Sequence, residues 1–263
     1  MFRRAGSSDA FNRWGIPMDE VWSDENTFVI NGMKFCLIRQ NFNDARTTKD
    51  SIALIKNRGM IDRYKNLIRD NAVTNILEFG IFEGGSALLL AAIEERIKFV
   101  GIDIRPSSPA VLGLIRDHGL TDRVKLYYNT SQGDTARVQT IIKTEFPEKR
   151  IDMIIDDASH QYELSRASFE ASFHFLKSEG LYLIEDWAWA HWEEPYQTQQ
   201  WADMPALTNL IFELVMLCGS RPDIVSEMSV QNAIAIFRKG RQEVGNFSLS
   251  RLYRHRNRWT PAL

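Results

Sequence analysis

Residues 151–187, IDMIIDDASHQYELSRASFEASFHFLKSEGLYLIEDW, decide the fold. Ile151 to Ile155 is a short apolar run that stops at Asp156 and Asp157. Leu181 to Ile184 is a second that stops at Glu185 and Asp186. Both read as buried strands ending in paired carboxylates. Between them, Tyr162 to Lys177 places Leu164, Phe169, Phe173 and Leu176 near helical spacing, with Gly180 as a stop. A strand, a crossover helix and a parallel neighbour put both carboxylate pairs on one edge of a sheet. In open α/β sheets that edge is where ligands bind.

The stretch upstream supplies a second feature of that edge. Asn75 to Ala92, NILEFGIFEGGSALLLAA, reads as a strand, a glycine-bearing turn and a helix. Its ExGxxxGGS spacing is not the dinucleotide GxGxxG. A glycine turn brings backbone N–H groups at a helix start close to a ligand, and an acid at the strand end can hold an amino group. Glu78 with Gly80, Gly84, Gly85 and Ser86 therefore suits the amino-acid half of S-adenosylmethionine better than a pyrophosphate, although a tight structural turn would look the same. Phe99 to Ile104, FVGIDI, is a strand ending in Asp103, spaced from the glycines as the acid that binds a ribose diol. Val111–Asp117 and Val138–Phe146 read as helices and Val124–Tyr128 as a strand. Asn129–Asp134, NTSQGD, is a polar turn in which Ser131 and Gln132 are placed to meet an adenine, or simply solvate a connection.

Three carboxylates, Asp157, Glu185 and Asp186, at the ends of neighbouring strands repel one another unless a cation joins them or some are protonated. All-oxygen ligation points to Mg²⁺. His160, three residues past Asp157, is a suitable base for a hydroxyl beside such a cation. Asp156 is then a supporting or cofactor-side residue. Either acid pair alone would be an ordinary turn or strand exit. His174 falls in the apolar helical pattern and reads as packed.

Outside this core the sequence is less specific. Residues 1–27 read as an irregular arm carrying Trp14 and Trp22. Thr27 to Ile38 flanks Asn31-Gly32 with β-prone runs, a hairpin that is either a cap or an edge packed on the main sheet. Thr48 to Asp70 reads as one or two amphipathic helices. Trp187 to Trp201, with Glu193, Glu194, Pro195 and Tyr196, suggests an aromatic lid, within which His191 has no assigned role. Ala206–Met216 is a helix, and Ile224–Val230 with Ala233–Phe237 forms an antiparallel hairpin turning at Gln231-Asn232. Three segments result: an appendage over 1–72, a core over 73–240 and a basic tail over 241–263. Four arginines between Arg251 and Arg258 suit a solvated tail or a subunit contact.

The 263 residues are 44% hydrophobic and 25% charged, ordinary for a globular protein, and a net charge of -2 offers no general attraction to nucleic acid. The two cysteines, Cys36 and Cys218, lack metal or CxxC spacing. The basic N-terminus has no apolar stretch behind it and the longest apolar run, Ala87 to Ile93, cannot span a bilayer, so a soluble cytoplasmic protein is expected.

ILEFGIFEGGS, GID, IDDASH and LYLIEDW together resemble the class I S-adenosylmethionine-dependent methyltransferases. Within these the chain is similar to metal-dependent sugar O-methyltransferases of natural-product pathways, and to the cephalosporin-hydroxylase-like and rhamnosyl O-methyltransferase families. The resemblance covers about Asn75 to Lys239. It implies an α/β, Rossmann-like fold with a mostly parallel seven-stranded sheet and an antiparallel C-terminal hairpin. It implies that Glu78, Gly80, Gly84, Ser86 and Asp103 hold S-adenosylmethionine, that Asp157, Glu185 and Asp186 hold Mg²⁺, and that His160 is the base. It also suggests a homo-oligomer acting on a small molecule. Catechol-type enzymes have a lysine in place of His160 and DN in place of Glu185-Asp186, which turns the expected acceptor from a phenol to an aliphatic or sugar hydroxyl. A phenol methyltransferase, a nicotinamide-dependent oxidoreductase and a non-catalytic binding module remain as alternatives. The missing GxGxxG and the terminal hairpin weigh against the oxidoreductase.

Overall fold

In a computed structural model, residues 20–147, 150–193 and 203–252 are described. They form two sheets. The first has β1 (Glu20–Trp22), β2 (Thr27–Ile30), β3 (Met33–Leu37) and β4 (Ile52–Leu54) in that order. Asn31 and Gly32 both take positive φ, 47° and 77°, so the β2–β3 turn has the twist that two-residue hairpins need. The hairpin is thus not an edge of the main sheet; it belongs to a sheet of its own.

The second sheet comprises β5 (Asn75–Phe79), β6 (Lys98–Ile102), β7 (Val124–Tyr127), β8 (Ile151–Asp156), β9 (Leu176–Glu185), β10 (Val225–Gln231) and β11 (Ile234–Lys239). Its order is β10-β11-β9-β8-β5-β6-β7, parallel except where β11 pairs antiparallel with β9 and β10. This is the mostly parallel seven-stranded sheet with a C-terminal antiparallel hairpin that the sequence implied. Its helices are α2 (Gly85–Ile93), α3 (Pro109–Asp117), α4 (Thr135–Glu145), α5 (Tyr162–Ser172) and α6 (Thr208–Ser220), and α1 (Arg58–Asp70) precedes it.

Two apolar layers sandwich the sheet. One runs from Phe28, Phe35 and Leu54 of the first sheet through Tyr64 and the all-round apolar α2 to Ile76, Phe99 and Met153. The other joins Leu77, Val100 and Ile154 to Val138, Phe169 and Leu210. The first sheet is therefore part of one continuous core. Asn31 Nδ2 donates to the Ala92 carbonyl at 2.7 Å, and Thr47 Oγ1 donates to the Glu83 carbonyl at 2.6 Å, latching that sheet to both ends of α2.

Several sequence readings need correction. Residues 48–57 are not helical: Ile52–Leu54 is a fully buried strand parallel to β3, and the helix starts only after Asn57, whose side chain caps Met60 N–H. A short strand buried on both faces has no polar alternation to reveal it. The helix read to Lys177 ends at Ser172 and is followed by a 3₁₀ turn at Phe173–Phe175, because Leu176 already pairs with Ile151. Gly180 thus lies in an excursion within β9, beside Glu179 at φ 64°, and stops no helix. The terminal hairpin turns at Asn232-Ala233, since Gln231 pairs with Ile234. Trp14, Glu194, Pro195, Tyr196, Trp201 and most of the arginine tail lie outside the described residues.

Candidate active site

Strand register brings the carboxylates level. Phe79 pairs with both Ile102 and Asp156, and Asp156 pairs with Ile184, so the C-terminal ends of β5, β6, β8 and β9 form one edge carrying Glu78, Asp103, Asp157, Glu185 and Asp186.

The β5 side is a compact cradle. Glu78 is fully buried; its Oε2 accepts from Ser86 Oγ at 2.6 Å and its Oε1 has no partner. Burial pushes its carboxyl well above the usual carboxylate range, against the pull of Lys56 and Ser86. A buried oxygen without a donor is costly, and an incoming ammonium would relieve it. Gly80 has φ 91°, and a Cβ there would sit 2.1 Å from the Asp157 carbonyl oxygen, so only glycine lets this loop touch the end of β8. Gly84 and Gly85 start α2, and Ser86 follows. Asp103 accepts backbone N–H groups of Ile81 and Phe82 on Oδ2, at 2.7 and 2.8 Å, and of Arg105 on Oδ1 at 2.7 Å. It braces the glycine loop from β6.

Gln132 and Asp156 are interior bracing. Asp156, 2% exposed, accepts from Ser168 Oγ at 2.6 Å and from Gln132 Nε2 at 3.2 Å, while Gln132 Oε1 accepts the Ser159 N–H at 3.0 Å. Burial raises the Asp156 pKa. Ser131 Oγ accepts the Gly133 N–H at 3.2 Å, shaping the turn.

At the β8–β9 edge, Asp157, His160 and Asp186 each offer a ligand atom, all within 4.8 Å of one another. His160 Nδ1 is 3.3 Å from the Glu185 carbonyl oxygen, which only accepts. Nδ1 must therefore carry the hydrogen, leaving Nε2 as the acceptor of the neutral ring, 3.9 Å from Asp157 Oδ1. Trp189 lies against the imidazole with ring centroids 4.3 Å apart. His160 and Asp186 both have left-handed backbones, φ 54° and 51°. Such conformations are uncommon for non-glycine residues and concentrate at functional sites. Burial raises the Asp186 pKa, with His160 pulling it down and Glu185 pushing it up.

Glu185, predicted beside Asp157 and Asp186, lies next to Asp157 across a shared lysine but is not one of the three residues whose ligand atoms converge. Its Oε2 is 2.7 Å from Lys56 Nζ, and its Oε1 accepts from Tyr64 Oη. Lys56 Nζ also lies 2.7 Å from Asp157 Oδ2. Burial acts to lower the Lys56 pKa, but Asp157, Glu185 and Glu78 outweigh it and raise it. Burial and the neighbouring Asp157 raise that of Glu185. Sequence reasoning missed Lys56 and Tyr64. The available signal was a lone lysine directly after the apolar run Ile52–Ile55 and before the helix cap Asn57.

Of the aromatic loop, Trp187 Nε1 donates to the Gln231 carbonyl at 2.6 Å, and His191 Nε2 pairs with Thr208 Oγ1 at 2.6 Å. His174 sits in the turn before β9, half-buried, with burial and Lys239 lowering its pKa to about 4. No helix among the described residues is long and apolar enough to cross a membrane.

Residues 77–187 match the family described as Methyltransferase domain. L-olivosyl-oleandolide 3-O-methyltransferase of Streptomyces antibioticus is 31% identical over 141 residues, which are 51% of this chain and 33% of that protein. Among solved structures, the MycE methyltransferase of the mycinamycin biosynthetic pathway, in complex with Mg and SAH, is 25% identical with a TM-score of 0.51, covering 68% of this chain and 49% of MycE. A putative caffeoyl-CoA O-methyltransferase from Staphylococcus aureus shares the fold at 22% identity and a TM-score of 0.54, covering 71% of this chain and 86% of that one. The chain thus spans about a third of the curated relative and half of MycE.

Proposed function

We propose that this chain, which carries a methyltransferase domain on a class I S-adenosylmethionine-dependent fold, moves a methyl group from S-adenosylmethionine to a hydroxyl oxygen of a small molecule. One observation carries the reading. The unpartnered Glu78 Oε1 lies two residues before Gly80, whose loop abuts the Asp157 backbone and so the cluster of Asp157, His160 and Asp186. An ammonium-accepting cradle and a proton acceptor thus share one sheet edge.

Glu78 would hold the donor's ammonium, with Gly80, Gly84, Gly85 and Ser86 forming the loop around it and Asp103 facing its ribose. Asp157 and Asp186 fit a hard cation, since Mg²⁺ is commonly held by one or two carboxylates with the other positions left to water or substrate oxygens. When bound, S-adenosylmethionine supplies an electrophilic methyl and leaves as S-adenosylhomocysteine, and Mg²⁺ supplies positive charge beside the acceptor oxygen.

The chain's own residues then manage the proton. The Glu185 carbonyl fixes the His160 tautomer, so Nε2 takes the hydroxyl proton as the oxygen–carbon bond forms. Asp157 Oδ1 stabilises the resulting imidazolium, and Trp189 covers the ring and excludes water. A base of this kind matters more for an alcohol than for a phenol, which favours sugar or aliphatic hydroxyls. The name of the relative L-olivosyl-oleandolide 3-O-methyltransferase, an O-methyltransferase, supports a hydroxyl acceptor on a small molecule. Incubation with methyl-labelled S-adenosylmethionine and a panel of deoxysugar glycosides and catechols tests this. Label in a sugar ether is expected, whereas label confined to catechols or to nitrogen acceptors would overturn the acceptor assignment.

A further inference from the structure

Building on the metal-assisted reading, we infer that Lys56 is a positioning residue that withdraws Glu185 from the metal's ligand set and is itself the resident cation of the inner half of the acid cluster. The side chain of Lys56 is 4% exposed and that of Glu185 is 2% exposed. Both oxygens of Glu185 are engaged, one by Lys56 and the other by Tyr64. Bringing Glu185 onto a metal would exchange its bonds to Lys56 and Tyr64 for one to the ion and leave the buried Lys56 ammonium with Asp157 as its remaining ion-pair partner beside a divalent charge. Asp157 differs. Lys56 occupies only its Oδ2, and Oδ1 faces His160 and the Asp186 side.

The division follows from the chain's path at the end of β9. Glu185 is the last residue of the strand and points to α1, whereas Asp186 takes φ 51° and its N–H donates to the Ala233 carbonyl, so its carboxylate turns to the His160 side. Lys56 precedes α1 and lies outside residues 77–187, the segment that matches the methyltransferase domain. The first sheet, which ends in β4, therefore delivers a working part of the site.

Mn²⁺ titration of the full chain, reading free ion by electron paramagnetic resonance, tests this without reference to turnover. Asp157→Asn and Asp186→Asn are expected to weaken Mn²⁺ by about tenfold or more, and Glu185→Gln by less than about threefold. Lys56→Met is expected to tighten it by about tenfold, since a competing cation leaves and Glu185 becomes available. Retained S-adenosylhomocysteine binding certifies that each variant is folded. Weakening by Glu185→Gln equal to that by Asp157→Asn overturns the inference, as does a Lys56→Met variant that binds Mn²⁺ no better than the parent. Mn²⁺ binding by Lys56→Met alone supports the inference while removing the metal from the parent enzyme. Absence of binding in both sinks the two together, leaving methyl-donor binding as a separate measurement.

Discussion

The two halves of the catalytic edge are built differently. The donor cradle is local: Glu78 and Ser86, eight positions apart, bond to each other across one turn. The acid edge is assembled across the chain, with Lys56 bonding Asp157 and Glu185 over separations of 101 and 129 residues, and Tyr64 reaching Glu185 over 121. A local unit can be recognised as a motif; a distant one is defined only by the fold.

The largest effect should fall on the acid edge. His160→Ala is expected to cut turnover by about 10²- to 10⁴-fold, the usual range for a lost general base. S-adenosylhomocysteine binding should stay within about twofold, because no donor-cradle contact involves His160. Loss of both would merge the halves into one unit. On the donor side, Glu78→Gln should weaken S-adenosylhomocysteine by about tenfold or more, the range for a charge-assisted hydrogen bond, and leave Mn²⁺ affinity unchanged.

Asp156→Ala probes the brace between the halves. It removes a buried acceptor shared by Gln132 and Ser168, which keep bonds to each other, to Ser159 and to Ser165, and should cost about 1–3 kcal/mol of stability by denaturant melt. The smallest effect concerns His174, remote from both. Burial and then Lys239 lower its pKa from 6.5 to about 4. Between these values the unfolded chain binds a proton that the folded one does not. This contribution is complete above 6.5 and is lost as pH falls through about 4. His174→Gln should therefore show a shallower fall in Tm between pH 7 and 4.5 than the parent. An unchanged slope would show that His174 does not titrate as its burial implies.

The same difference explains what the sequence could reveal. The Glu78–Ser86 turn, the FVGID strand and the two acid-terminated strands were legible because each is a run of neighbours with a period or a punctuating residue. Asn31-Gly32 was legible for the same reason. β4 was not, because three buried residues have no alternation, and the overlong helix at 162–177 failed because Phe173 and Leu176 are apolar in either state. The spacing to His160 separated Asp157 from Asp156, which Gln132 and Ser168 hold, but the different surroundings of Glu185 were hidden, since its partners Lys56 and Tyr64 are supplied only by tertiary packing. Repulsion among the acids was read as a demand for a cation or for protonation, and Lys56 supplies positive charge there that the sequence did not reveal.

The most direct measurement is calorimetric titration of S-adenosylhomocysteine into the full chain and into Glu78→Gln, with NAD⁺ as the comparison ligand. The account predicts saturable one-site binding of S-adenosylhomocysteine, weakened in Glu78→Gln, and no heat from NAD⁺. Binding of NAD⁺ in its place, or S-adenosylhomocysteine binding indifferent to Glu78, would contradict it.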